Sequence, residues 1–283
     1  MPYTLPVDLP YLIAWAFALL VALFFGSFLN VCISRLPRHE SIAWPGSHCP
    51  RCVAPIRARD NVPILSFLLL RGLCRDCRRP ISPRYPLVEA AYTILVAGCL
   101  ARFGFTFNAA AASGFCFLIL GLLVMDLETM RLPDAFTLPG IALGLIWAFS
   151  APFTANPRAS LRLPLLHAAH VALSALGWAL ILLILRWSYY AIRHRQGLGL
   201  GDIKLIAMIG ACLGAERTGL VFFLAVLCAA LAGILAMLRQ RARAEPLTPG
   251  TLQLPLGTFL GLAALYTMFW GTRTLNWYVS FYS

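Results

Sequence analysis

The sequence predicts an all-α, polytopic membrane protein with about eight transmembrane helices and one small module between the first and second. Three observations carry that prediction. First, 60% of the 283 residues are hydrophobic and only 12% are charged, where a soluble domain carries about 25% charged residues. Too little polar surface remains to cover a water-soluble globule. Second, apolar stretches approaching the ~20 residues needed to cross a bilayer recur along the chain. Third, the basic residues gather in a few connecting segments, as they do in the cytoplasmic loops of membrane proteins. The formal charge of +12 therefore points to a membrane surface and away from nucleic acid.

The elements follow in order. Residues 12–33 form an apolar run without a charge. They are expected to stay as a span, because no Lys or Arg precedes them and the run exceeds the roughly 7–15 residues of a signal-peptide core. Further spans are expected at 87–100, 109–125, 135–153, 165–185, 205–214, 220–238 and 254–270. The run at 205–214 is the weakest, long enough only if its flanks also enter the membrane. Ten arginines, from Arg35 to Arg84, separate the first span from the second, which puts that segment in the cytoplasm. Loops near Arg131, Arg193–Arg195 and Arg239–Arg243 fall on the same side. Arg102, Arg158, Arg162, Arg217 and Arg273 fall on the other, and both termini face outward. Three regions result: a first span at 1–33, a Cys-rich domain at 34–85 and a transmembrane domain at 86–283.

The Cys-rich domain contains Cys49-Pro50-Arg51-Cys52 and Cys74-Arg75-Asp76-Cys77, with 21 residues between the pairs. Two such knuckles suit one tetrahedral Zn²⁺ held by four thiolates. A segment this short buries little apolar surface, so a metal would supply folding energy that it lacks. Disulfides are the competing reading, disfavoured in a reducing cytoplasm. Four cysteines close the coordination sphere, which makes the metal structural. Cys32, Cys99, Cys116, Cys212 and Cys228 lie in apolar runs and read as small core residues.

Only eleven residues are acidic. Glu89, Asp126, Glu128, Asp134 and Asp202 stand at or inside the edges of spans, where ionisable groups are costly and signal function. Asp126 ends an apolar run, and Pro133 breaks the helix shortly afterwards. Asp202 follows glycines at 197, 199 and 201, which let the backbone bend and approach a neighbour closely. Both aspartates are expected at cytoplasmic span ends, where they could meet. Two carboxylates sharing a site do not both ionise readily; one can activate water while the protonated one polarises a carbonyl. The bland alternatives are helix capping for Asp202 and an N-cap role for Asp134. Glu128 reads as a solvated interfacial residue, and Glu89 as a helix-start carboxylate. No competing nucleophile stands out: Ser27 and Ser66 have no histidine near them in sequence, and no His-Glu-x-x-His motif occurs.

In order, the chain holds Gly26-Ser27-Phe28-Leu29-Asn30-Val31, Arg35-Leu36-Pro37, both cysteine pairs and Arg84-Tyr85-Pro86-Leu87-Val88-Glu89. Asp126, Leu132-Pro133-Asp134 and Gly199-Leu200-Gly201-Asp202-Ile203-Lys204 follow. In this ordered set the chain resembles the type IV prepilin peptidases, intramembrane aspartic peptidases of the Gly-x-Gly-Asp type. The resemblance implies Asp126 and Asp202 as the catalytic pair. It implies cleavage of the leader peptides of type IV prepilins and type II secretion pseudopilins at the cytoplasmic face of the bacterial inner membrane. It also implies N-methylation of the new amino terminus with S-adenosylmethionine, an activity associated with the Cys-rich domain. No residue is assigned to the methyl donor; Asn30 and Glu89 are polar contributors or simply packing and capping groups. One departure is visible: Pro255-Leu256-Gly257-Thr258 stands where the family often has Phe-Gly-Pro. That turn is remote from both aspartates in sequence, so only its local geometry is in doubt.

Two other functions compete. A non-enzymatic scaffold would use the zinc knuckle to bind a partner in pilus or secretion assembly, but it has no need of glycine-flanked aspartates at two span ends. A proton-handling carrier would show inverted repeats, and none is evident. The sequence sets no oligomeric state.

Overall fold

A computed structural model describes residues 8–155, 161–194, 197–242 and 254–282. Arg158, Arg195 and Arg243, assigned to loops from the sequence, lie outside those residues. The described residues form helices with no strand longer than an isolated bridge. Eight long helices coincide with the eight expected apolar segments: α1 (Leu9–Arg35), α3 (Arg84–Phe103), α4 (Phe107–Thr129), α5 (Asp134–Ala155), α6 (Arg162–Arg193), α7 (Leu200–Leu213), α8 (Ala215–Ala242) and α9 (Leu256–Val279). The short α2 (Leu65–Leu69) lies in the Cys-rich segment. Six of them, α1, α3, α4, α5, α6 and α8, are long and apolar enough to cross a membrane. Leucines 173, 176 and 180 on α6 are more than half exposed, as lipid-facing side chains would be.

The chain divides into two compact units, Met1–Ala109 and Ala110–Ser283. In the first, α1 packs on α3. Gly26 makes their close approach possible, since a Cβ there would lie 2.8 Å from the Cα of Glu89. One turn further along α1, Asn30 reaches Tyr85, one turn earlier on α3; the two helices are therefore antiparallel. Arg35, at the end of α1, is buried and donates to the carbonyls of Ser41 (3.0 Å) and Gly46 (3.3 Å), which fixes the start of the Cys-rich segment.

The second unit is built around α7. Its 14 residues span about 21 Å at 1.5 Å per residue, short of the ~30 Å hydrocarbon core. Nine of them are buried. Small residues let its neighbours close in: a Cβ on Gly144 of α5 would lie 2.6 Å from the Ala211 carbonyl carbon, and one on Gly210 would lie 3.0 Å from Ala175 of α6. The weakest apolar run is therefore a core helix enclosed by other helices, which explains both its shortness and its uniform apolarity.

Candidate active site

Asp126 lies in the last turn of α4 and is buried. Met130, in the left-handed region at φ 53°, ends that helix, and its N–H donates to the Asp126 carbonyl at 2.9 Å. The Asp126 carboxylate is held from a distant part of the chain. Thr258 donates to Oδ2 through its backbone N–H at 2.7 Å and its hydroxyl at 3.2 Å. The Gly257 N–H also faces the carboxylate. Both residues belong to the first turn of α9, so Asp126 occupies a helix N-terminus, where unsatisfied N–H groups favour an anion. The same hydroxyl lies 3.2 Å from the Leu123 carbonyl, so its single proton is shared between the two acceptors, tying α9 to α4.

Asp202 is the third residue of α7. Its Oδ2 accepts the Gly199 N–H at 3.3 Å, the reach-back half of a capping box. The capping alternative is thus real, and it leaves Oδ1 without a protein partner among the described residues. The glycines before Asp202 act by close approach only; the described glycines at positive φ are Gly72, Gly104 and Gly214. A Cβ on Gly201 would come within 2.9 Å of Leu132 Cβ.

Leu132 joins the two aspartates. It packs on Gly201 beside Asp202, and its Cδ1 would lie 3.1 Å from a Cβ on Gly257, whose own Cβ would meet the Asp126 Cγ and Oδ2 at 2.9 Å. The two carboxylates lie close enough for their charges to interact. Asp134 does not act as an N-cap. It opens α5, and its carboxylate takes Lys204 Nζ at 2.6 and 2.8 Å. This ion pair and Leu132 fasten the α4–α5 connection to the start of α7. Glu128 is exposed, as its solvated reading requires.

The turn from Pro255 to Thr258, set aside on sequence grounds as remote, supplies the donors to Asp126. That expectation is corrected: helix packing brings a segment 132 positions away against the carboxylate. Its departure from the family pattern was the one sequence signal that could have drawn attention to Gly257 and Thr258.

In the first unit, the four predicted cysteines come together, with their sulfurs within 4.8 Å of one another. None forms a disulfide. The knuckles repeat one geometry. In each, the N–H of the first cysteine donates to the carbonyl five residues on, Ala54 or Arg79. The fourth residue after it, Val53 or Arg78, returns a bond at φ 61° or 57°. A tetrahedral metal with thiolates at ~2.3 Å needs sulfurs about 3.8 Å apart, and Cys49 and Cys77 stand at 4.0 Å. The donor set fits a metal.

Glu89 is not at the helix start. It is the sixth residue of α3, buried, and accepts the Ile64 N–H at 2.7 Å, with the Ser27 side chain against it. Ser66, the other serine considered as a nucleophile, bonds the Arg59 carbonyl and the Val62 N–H, a local structural role.

Comparison with known proteins places both units. Residues 20–103 match the family described as the bacterial peptidase A24 N-terminal domain, and residues 112–234 the type IV leader peptidase family. A prepilin leader peptidase/N-methyltransferase of Burkholderia pseudomallei (strain 1026b) is 37% identical, over 91% of this chain and 85% of its own length. Proteins of the same name from Pseudomonas aeruginosa and Aeromonas hydrophila are 34% and 32% identical, covering 93% and 97% of this chain and 92% and 98% of their own. No solved structure matches.

Proposed function

Because the chain belongs to the type IV leader peptidase family, we propose that it works as a prepilin leader peptidase and N-methyltransferase with Asp126 and Asp202 as its catalytic pair. One observation carries the assignment of the pair: Asp126 is buried on the first turn of α9 while Leu132 packs against the glycines next to both aspartates. The substrates are prepilins and pseudopilins, whose apolar segments lie in the same bilayer as the helices. Cleavage occurs at the cytoplasmic face of the inner membrane, the side to which the arginine-rich segment points.

Of the two carboxylates, one is ionised and draws a proton from water, and the other donates to the scissile carbonyl oxygen. Thr258 holds Asp126 Oδ2 in a fixed direction with the Gly257 N–H facing the same carboxylate, and Gly199 does the same for Asp202 Oδ2. Asp202 keeps Oδ1 available for water. The residues at 86–283 carry this chemistry, and the domain at 34–85 belongs with methyl transfer. The Lys204–Asp134 pair positions the strap between the aspartates. Lys204→Met therefore lowers kcat about tenfold with KM little changed, since small displacements of reacting groups are costly. Exchanging the two charges (Asp134→Lys with Lys204→Asp) recovers most of that loss in a steady-state cleavage assay.

The cysteine cluster holds Zn²⁺ as a structural metal. Cys77→Ser removes bound zinc, measured by elemental analysis of the purified protein, and exposes the segment to limited proteolysis. S-adenosylmethionine supplies an electrophilic methyl group when bound. Its sulfonium calls for acceptor atoms with no competing cation, and Glu89 with the Asn30 carbonyl oxygen fits that demand.

The test is prepilin cleavage by purified protein in detergent, with and without mild chelation, followed by mass analysis of the new amino terminus. Cleavage that survives chelation and a terminus heavier by one methyl group in the presence of S-adenosylmethionine support the reading. Cleavage that needs added metal would overturn the aspartic mechanism.

A further inference from the structure

The seam between α1 and α3 contains an arrangement that peptide cleavage does not use. Asn30 is 2% exposed, and its carbonyl oxygen Oδ1 has no hydrogen-bond partner. The orientation of the amide is settled by its bonds: Nδ2 donates to the Tyr85 carbonyl at 3.0 Å and the Gly26 carbonyl at 3.4 Å. A buried acceptor left without a donor is uncommon and signals a missing partner.

Glu89 lies across the seam, level with Gly26 one turn from Asn30, and is 6% exposed. It takes a hydrogen bond from the Ile64 N–H and lies against the Ser27 side chain, but no cationic side chain among the described residues pairs with it. Carboxylates are rarely buried without such a pair. Helical side chains lean towards the N-terminus of their own helix. With α1 and α3 antiparallel, Asn30 leans towards the level of Glu89, and Glu89 towards the level of Asn30. Ile64 donates to Glu89 at φ 59°, a conformation that a β-branched residue adopts only under constraint. The segment carrying Ile64 is thus held against the carboxylate at a conformational cost, as happens at ligand sites.

We infer that Glu89 and the Asn30 carbonyl oxygen form a binding site for a small organic cation, an ammonium or sulfonium carried by a ligand of methyl transfer. The inference rests on the methyltransferase reading and not on the aspartate pair. Two sources share this chemistry: the α-ammonium that cleavage exposes on the mature pilin, and the sulfonium of S-adenosylmethionine.

Calorimetry on the full-length protein in detergent tests it with two matched pairs of probes. One pair is S-adenosylmethionine against the neutral S-adenosylhomocysteine. The other is a mature pilin amino-terminal peptide with a free amine against its acetylated form. In at least one pair the cationic member binds about tenfold or more tightly, as a charge-assisted bond to a buried carboxylate requires, and the preferring pair identifies the source. Glu89→Gln keeps the size and an acceptor oxygen but removes the charge, and it erases the preference while zinc content and melting temperature are retained. No preference in either pair with the unaltered protein overturns the inference whether or not the variant folds, and so does a preference that survives Glu89→Gln. If the unaltered protein transfers no methyl group but binds a cation with this preference, the methyltransferase reading fails and takes the assignment of the ligand with it, while the cation site itself stands.

Discussion

Asp126→Asn abolishes prepilin cleavage, and so does Asp202→Asn, each lowering kcat/KM by about 10³-fold or more, the range lost with a positioned acid or base. The two act as one unit, so the double variant is no worse than either single one. Neither change removes packing: Asn keeps the volume of Asp and an oxygen that can still accept from Thr258 or Gly199. Expression and melting temperature therefore stay close to those of the unaltered protein. Cleavage of a prepilin, followed by gel shift or mass spectrometry, reads the result. Cleavage retained in either variant would mean that the carboxylates only cap helices, a role that Asp202 does have.

Gly257→Ala produces the next largest loss, although it touches no carboxylate chemistry. The added methyl would lie 2.9 Å from both Cγ and Oδ2 of Asp126 and 3.1 Å from Leu132 Cδ1. Contacts that short force a displacement. Either Asp126 leaves the first turn of α9 or α9 withdraws from α4, breaking the Thr258 bonds. A shift of about 1 Å in a reacting group costs on the order of 10²-fold in rate. Gly177→Ala in α6 is the matching control. A Cβ there meets nothing within 4 Å, and Ala favours a helix interior by about 1 kcal/mol, so cleavage is unchanged. Equal rates for Gly257→Ala and Gly177→Ala would show that the α9 turn does not hold Asp126.

The fold was legible from the sequence because its main signals are local. Each apolar run marked a helix, and even the doubt about residues 205–214 had a physical source. A helix enclosed by α5 and α6 needs neither bilayer length nor a polar face, so its sequence resembles a truncated span. The metal cluster was legible for a similar reason. A Cys-x-x-Cys turn is fixed within a few residues, and two turns suffice to describe the site; the structure adds that both close through the same hydrogen bonds.

The environment of the aspartates was less accessible. Residue chemistry could nominate Asp126 and Asp202, and resemblance to a family could pair them. It could not find Thr258, which donates to Asp126, or Leu132, which packs beside both. Of the two roles it gave the glycines before Asp202, bending and close approach, the structure shows close approach, and Asp134, read as a cap, binds Lys204. It named Glu89 and Asn30 as polar contributors or packing and capping groups without choosing between the two. Composition and short-range pattern by themselves determined a multi-pass helical protein with a four-cysteine knuckle and a few expensive carboxylates. Only the tertiary structure decided which helix end holds each carboxylate and which buried oxygen goes unsatisfied. Those contacts join residues far apart in sequence through shape and hydrogen-bond geometry, and no local pattern in the chain encodes them.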